Sequence, residues 1–298
     1  MQNTLRYLCY ILTICSVSFY VSFSSLIKPR IQLESPVEQT TFKLPPAIKR
    51  NIPNIRADIA PVVSLFPLTD KGLYPLILGN VVRISNLAGS TAGSGVVIWT
   101  GLDFKKMAHT FILTNRHVLP VGMPGAVEVF SYLNFRDVES VTTYPCFTVV
   151  QSSEADLALI EVVSNNEFLT TATLISPEEY TQMPMYTDLF IVGCGLANPP
   201  FVSPGKVFQF GEDTILLNGF SVWGFSGGGV FDRCGHLVSI SCQIAMATVG
   251  KDTYAITNIS LSIPVNVINS WLLTTNYKFI VSPELGSLDD VTKPKKFH

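Results

Sequence analysis

The amino-acid sequence predicts an all-β fold, a barrel or a sandwich, for most of its 298 residues. Through the middle of the chain, short apolar runs alternate with glycine, proline, asparagine and serine, which is the pattern of strands joined by turns. No long helical periodicity interrupts that pattern. A chain of this length can bury a large core, so we expect one or two domains.

The first element is an apolar N-terminal run. Residues 7–27 carry no charge, with Arg6 before them and Lys28 and Arg30 after them. About 20 such residues can span a bilayer as a helix. A secretory signal is the alternative, but the run is longer than a usual signal core. We therefore expect residues 1–27 to be a membrane anchor or signal peptide, and the protein to be membrane-anchored or secreted with its folded domain outside the cytoplasm. Positive charge flanks both ends of the run, so a domain tethered to the membrane on its cytoplasmic side is the alternative.

The second element, residues 28–74, is expected to be a proline-rich linker, either a spacer or an arm that packs on the domain. Proline removes backbone donors and favours an extended chain. The prolines of this stretch are Pro29, Pro36, Pro45, Pro46, Pro53, Pro61 and Pro67. Residues 276–298 are expected to be a polar tail, which leaves residues 75–275 for the folded domain.

Within that domain, residues 224–230 (GFSGGGV) place Ser226 in a glycine-rich turn between apolar runs. Glycines let the backbone turn tightly and bring its N–H groups together. Two N–H groups beside a hydroxyl form an oxyanion hole next to a nucleophile. The expected oxyanion donors are the N–H groups of Gly224 and Ser226.

Two residues upstream lie in sequence contexts that suit catalytic partners of this serine. His117 follows an apolar strand that ends at Thr114, and Asp156 opens the apolar run 156–160 (DLALI). A serine hydroxyl needs an adjacent base, and an imidazole titrates near neutral pH. A carboxylate on the other ring nitrogen fixes the tautomer of that base. The candidate catalytic residues are therefore His117, Asp156 and Ser226.

The order of these residues along the chain argues against one alternative. The GFSGG segment also fits the nucleophile turn of the α/β-hydrolases, but those enzymes place the acid and then the histidine after the serine. Only His236 and His298 follow Ser226. The order His, Asp, Ser is the one found in chymotrypsin-like proteases. We expect His236 to be a turn residue and His109 to lie at a strand edge or on the surface.

Taken together, these motifs resemble those of a trypsin-like serine protease, and most closely the HtrA/Deg branch, from about Gly79 to about Leu273. The segments that carry the resemblance are 93–98 (GSGVVI), 113–118 (LTNRHV), 156–160, 205–207 (GKV), 231–238 (FDRCGHLV) and 263–268 (IPVNVI). The resemblance implies two six-stranded antiparallel β-barrels, about residues 79–165 and 180–262, and a short C-terminal helix. About 25 residues follow Leu273, too few for a PDZ domain.

The sequence departs from the family pattern on both sides of the serine. Relatives usually carry Asp or Asn where this chain has Phe225, and Pro or Ala where it has Gly229. Phe225 cannot form the salt bridge that classical trypsins make with a new N-terminus, and Gly229 adds backbone flexibility near the oxyanion hole. A catalytically silent relative that binds peptides or unfolded chains is therefore the alternative to an active enzyme.

The resemblance implies a serine endopeptidase that works through an acyl-enzyme, with polypeptide substrates pairing along one strand edge. It also implies a homo-oligomer, since relatives often form trimers. The implied substrate-binding residues are Phe220, Ser221, Val222, Ser241, Cys242 and Gln243. Phe220 falls at the floor of the primary pocket, where no carboxylate is present. Cleavage after small or apolar residues is therefore expected, rather than after Lys or Arg.

Composition limits the partners further. The net charge is −2, so no basic stripe indicates a nucleic-acid partner. The chain has six cysteines, too few for a disulfide scaffold, and most are expected to be free and buried. No CxxC or His/Cys spacing indicates a metal, and no cofactor is expected.

Overall fold

The computed structural model describes residues 68–86, 92–133, 137–165, 170–249 and 251–293. The expected membrane or signal segment, residues 1–27, lies outside these ranges, as does the expected linker up to residue 67. None of the helices in the described part of the chain is both long and apolar enough to cross a membrane.

The first barrel is closed and consists of six antiparallel strands in the order β1-β2-β3-β6-β5-β4. Their bounds are β1 Val81–Asn86, β2 Ala92–Leu102, β3 Ala108–Thr114, β4 Gly125–Leu133, β5 Asp137–Gln151 and β6 Ala158–Ser164. Every residue of β3 is buried. The apolar side chains of Val82, Ile112, Val127 and Ile160 fill the barrel interior.

The second barrel has six antiparallel strands in the order β11-β8-β9-β10-β13-β12, and pairing of β11 with β12 closes it. Their bounds are β8 Asp188–Gly193, β9 Phe201–Phe210, β10 Ile215–Gly219, β11 Gly229–Phe231, β12 His236–Val249 and β13 Asp252–Pro264. A further short strand, β7 (Thr173–Leu174), runs parallel to β12. The predicted pair of six-stranded barrels is therefore confirmed.

Helices cover the ends of the barrels. α1 (Asp70–Gly79) begins ahead of residue 75, where the sequence predicts the domain to start, and it buries Leu73 and Ile77. α2 (Pro177–Thr181) is a single turn with a capping box at its start. α3 (Val265–Leu273) is the short C-terminal helix that the sequence predicts.

The C-terminal segment packs on the domain instead of forming the expected polar tail. Two 3₁₀ turns, Lys278–Ile280 and Pro283–Leu285, lead into α4 (Leu288–Thr292). Phe279 is only 3% exposed, and its ring meets that of Trp99 edge-on at 5.3 Å between centroids. Burial of this aromatic side chain stabilises packing of the segment on the domain, although many of its neighbours in sequence are polar. Residues 294–298 of the expected tail lie outside the described chain.

A shared apolar core joins the two barrels. Phe111 and Leu159 of the first barrel, Phe190 and Ile240 of the second, and Ile268 of α3 belong to one buried cluster. This cluster fixes the barrels relative to each other, so loops from both can hold a site between them.

His109 differs from the expectation of a strand-edge or surface histidine. It is buried on β3, and its Nδ1 lies 2.5 Å from Glu161 Oε1 on β6. Its Nε2 faces Asp103 Oδ2 at 3.4 Å. These two carboxylates explain why a histidine is buried at a position that the sequence predicts to be at a strand edge or on the surface.

Candidate active site

His117 lies on the turn that follows β3. Because β3 is buried along its whole length, the turn leaves the barrel at a fixed point. The side-chain amide of Asn115 donates to the Asp156 carbonyl at 2.9 Å. The Arg116 guanidinium donates to the Ser152 carbonyl at 2.8 Å. These two bonds hold the histidine turn against the loop that carries Asp156.

Both carboxylate oxygens of Asp156 accept hydrogen bonds from the same residue. His117 Nδ1 lies 2.6 Å from Oδ2, and the His117 backbone N–H donates to Oδ1 at 3.1 Å. This double contact sets both the position and the ring orientation of His117. With Nδ1 facing the carboxylate, Nε2 is the nitrogen left for a reaction partner.

The His117–Asp156 pair is partly open to solvent, with side chains 50% and 32% exposed. Burial alone raises the pKa of Asp156, but the hydrogen bonds and charge of His117 outweigh it and hold the pKa below the ordinary value. The carboxylate is therefore ionised at neutral pH and can stabilise a positive charge on the ring.

The serine turn needs glycine at two positions. Gly224 and Gly227 have φ angles of 99° and 83°, a region that side chains rarely enter. A Cβ at Gly224 would overlap the Cys194 carbonyl oxygen, and one at Gly227 would overlap the Ser94 carbonyl oxygen. The turn is thus pressed against neighbouring backbone.

Ser94 of the first barrel holds the serine turn in place. Its backbone N–H donates to the Ser226 carbonyl at 2.7 Å, and its hydroxyl donates to the Gly224 carbonyl at 2.6 Å. The same hydroxyl accepts the Cys194 N–H at 2.8 Å. On the other side, the Gly227 N–H donates to the Ser241 carbonyl at 2.8 Å. The nucleophile turn is therefore anchored to both barrels.

Phe225 occupies the position where relatives carry a polar residue, and it points into the second barrel. It is 1% exposed, and its ring meets that of Phe201 edge-on at 4.9 Å. Val222 and Val230 belong to the same buried cluster. Phe225 therefore anchors the serine turn in the apolar core of the second barrel.

Some N–H groups of the serine turn are hydrogen-bonded and others are not. Those of Phe225, Gly227 and Gly228 donate to backbone carbonyls. Those of Gly224 and Ser226 have no acceptor among the described residues. Two unpaired N–H groups beside a serine hydroxyl can bind an oxyanion.

His117 and Ser226 both line a cavity of about 290 Å³. The residues that line it are His117, Ser221, Val222, Trp223, Ser226, Ser241, Cys242, Gln243, Ile244 and Met246. Neither a carboxylate nor a lysine or arginine side chain is among them. The cavity walls are thus neutral apart from the histidine.

Five of the six predicted substrate-binding residues line this cavity. Phe220 does not; it is 48% exposed. The sequence missed Trp223, Ile244 and Met246, although Trp223 directly precedes the serine turn. Ile244 and Met246 follow β-bulges in β12, at which the pairing register with β13 shifts, and no sequence pattern locates a bulge.

The Ser226 hydroxyl makes no hydrogen bond to the His117 ring within the part of the chain that the structure describes. Catalytic hydrogen bonds are often long or poorly aligned without substrate and tighten when it binds. The two residues nevertheless share one cavity.

Comparison with known proteins gives the family context. Residues 93–240 match the family model described as the trypsin-like peptidase domain. A search of curated proteins found none that matches this sequence. Among solved structures, the chain is similar to the "Rv3671c protease, inactive form", with a TM-score of 0.50 and 14% identity, over 70% of this chain and 94% of the other. At that identity the likeness supports the fold alone.

Proposed function

Residues 93–240 match the trypsin-like peptidase domain, and on that premise we propose that the chain is a serine endopeptidase of this family with Ser226 as nucleophile. The observation that carries the proposal is the 2.6 Å contact between His117 Nδ1 and Asp156 Oδ2, with Ser226 in the same cavity as that histidine. An oriented base beside a serine hydroxyl is the arrangement that acyl transfer requires.

The reaction proceeds in two halves. In the first, Ser226 Oγ attacks the peptide carbonyl while His117 Nε2 takes the hydroxyl proton. Asp156 stabilises the imidazolium and stays ionised itself. The ring then gives its proton to the leaving amine, which departs and leaves an acyl group on Ser226. In the second half, water attacks the acyl carbon with the same base, and the peptide acid leaves.

The N–H groups of Gly224 and Ser226 bind the oxyanion in both halves. Each is a backbone donor without an acceptor in the described part of the chain, in a turn held by Ser94. Such donors cost no reorganisation when charge develops. Loss of one oxyanion donor typically lowers the rate on the order of 100-fold or more.

We further propose cleavage after small or apolar residues. The cavity beside Ser226 is lined by Val222, Ile244 and Met246 and holds no carboxylate. An apolar side chain gains about 25 cal/mol per Å² on burial there, whereas a lysine or arginine would lose hydration without gaining a partner. A peptide-library profile dominated by basic residues before the cut would contradict this preference.

A fluorophosphonate probe tests the catalytic proposal. We expect the full-length chain to be labelled, and Ser226→Ala to abolish labelling. Ser131→Ala is the matched control, because Ser131 is exposed on β4 of the first barrel, and it should be labelled like the wild type. Labelling that survives in Ser226→Ala would remove Ser226 from the proposed role.

A catalytically silent peptide-binding protein is the second candidate. Phe225 and Gly229, the two departures from the family pattern beside the serine, favour it. A silent protein would bind an unfolded polypeptide with measurable affinity and remain unlabelled by the probe under all conditions. An active enzyme would be labelled and would also hydrolyse the bound chain.

From the sequence we also propose that residues 7–27 attach the protein to a membrane and keep the peptidase domain outside the cytoplasm. The test is fractionation of cells that express the full chain, followed by protease protection. Recovery in the membrane fraction, with the domain digested from outside, is expected. Recovery in the cytoplasm would contradict the proposal.

A further inference from the structure

The turn between β11 and β12 gathers three side chains of metal-binding type, although the spacing of cysteine and histidine in the sequence predicts no metal site. One donor atom from each of Asp232, Cys234 and His236 lies within 4.8 Å of the others. Carboxylate, thiolate and imidazole are the three side-chain groups that bind Zn²⁺ in proteins. These residues are distinct from those that line the active-site cavity.

The carboxylate of Asp232 is already oriented by the backbone. Its Oδ1 accepts the N–H groups of Cys234 and His236, both at 2.8 Å. Its Oδ2 faces His236 Nδ1 at 3.1 Å. Zinc bonds to oxygen and nitrogen of about 2.0–2.2 Å would give an angle of roughly 90–100° at an ion shared by two atoms this far apart, so the two ligands would open slightly to reach the tetrahedral angle.

The turn itself is held firmly. The Asp232 N–H donates to the His236 carbonyl at 3.0 Å, and the Gly235 N–H donates to the Asp232 carbonyl at 3.2 Å. Gly235 has a φ of 86°, and a Cβ there would press on Leu76 of α1. A rigid scaffold lowers the entropy cost of bringing ligands together.

The one basic residue on this turn points elsewhere. The Arg233 guanidinium lies 3.4 Å from Asp70 Oδ1 and stacks over the ring of Phe190 at 5.3 Å. Its charge is therefore engaged outside the cluster. Glu179 of α2 lies near enough to act electrostatically on both Cys234 and His236. Asp232 belongs to the cluster and Glu179 adds negative charge at longer range, which would favour a bound cation.

Access and burial also suit an ion. The side chains of His236 and Asp232 are only 10% and 15% exposed, so a bound cation would be largely desolvated. Cys234 is partly exposed, which leaves a route from solvent.

We propose that Asp232, Cys234 and His236 form a zinc site that fastens the β11–β12 turn of the second barrel. Three protein ligands leave a fourth position for water. On binding, the Cys234 thiol releases its proton to solvent. The proton on His236 Nδ1 moves to Nε2 through the solvent, which frees Nδ1 to bind the ion.

Cobalt titration tests this site, because Co²⁺ replaces Zn²⁺ and reports thiolate ligation by a charge-transfer band. The full-length chain, reduced and freed of metal, should bind one Co²⁺ per chain with that band. Cys234→Ser should lose the band, while Asp232→Asn and His236→Gln should weaken Co²⁺ binding at least about tenfold. Asn keeps the acceptor that the two backbone N–H groups need, so the turn of that variant still forms.

Cys242→Ser is the matched control, since Cys242 is a buried thiol farther along β12 and outside the cluster, and it should keep the band. Zn²⁺ should displace the Co²⁺ and raise the unfolding temperature of the wild type but not of Cys234→Ser. Absence of the band in the wild type, or its persistence in Cys234→Ser, would overturn the proposal. Neither result depends on peptidase activity.

Discussion

Phe225→Ala should destabilise the second barrel strongly. Phe225 is 1% exposed, packs on the Phe201 ring at 4.9 Å and leaves a cavity when truncated. Loss of a buried phenylalanine side chain costs about 3–5 kcal/mol, a large share of the 5–15 kcal/mol that is typical of a domain. Urea denaturation of the full chain, followed by tryptophan fluorescence, measures the change in free energy of unfolding.

The same substitution should also slow labelling of Ser226 by the fluorophosphonate probe in the folded fraction, because Phe225 is the residue that immediately precedes the nucleophile. Phe208→Ala is the control, since Phe208 is 53% exposed on β9. It should cost less than about 1 kcal/mol and leave the labelling rate unchanged. Equal destabilisation by the two substitutions would refute the view that Phe225 anchors the serine turn.

Four further predictions concern Asp156, Met246 and the cysteines. Asp156→Asn should lower kcat/KM on the order of 10⁴-fold. Because the pKa of Asp156 is lowered in the folded state, its stabilisation is present above the ordinary value of 3.8 and is lost as pH falls through the folded value. The wild type should therefore lose its stability advantage over Asp156→Asn in acid, measured by unfolding at several pH values; a constant difference would contradict this. In a peptide library, Met246→Lys should raise the ratio of kcat/KM for substrates with acidic side chains to kcat/KM for those with apolar side chains by up to about fivefold. An unchanged profile would exclude Met246 from substrate contact. Burial raises the pKa of the Cys146 and Cys242 thiols to about 12, so in the metal-free protein at pH 8 iodoacetamide should modify the partly exposed Cys234 before either of them, as read by peptide mass mapping; faster modification of Cys242 would contradict that burial.

The sequence predicts the parts of the site that depend on strand ends and chain order. An apolar strand ending at Thr114 places His117 on a turn, and the run after Asp156 forms β6. Glycine at positions 224 and 227 predicts a tight turn, and both adopt positive φ. These signals are local, so they can be recognised without coordinates.

The remaining features depend on contacts between distant segments. Met246 lines the cavity because the bulges in β12 shift its strand register, whereas Phe220 lies outside the cavity on the segment that follows β10. The expected polar tail packs because Phe279 finds an aromatic pocket beside Trp99. The role of Ser94 as a clamp on the serine turn depends on how the two barrels meet.

Whether His117 and Ser226 act as one unit is the central question, and a double-variant cycle measures it directly. We expect Ser226→Ala and His117→Ala each to lower kcat by several orders of magnitude for a peptide substrate, and the double variant to be no slower than the worse single variant. Losses that multiply in the double variant would show that the two side chains act independently, and the proposed mechanism would be wrong.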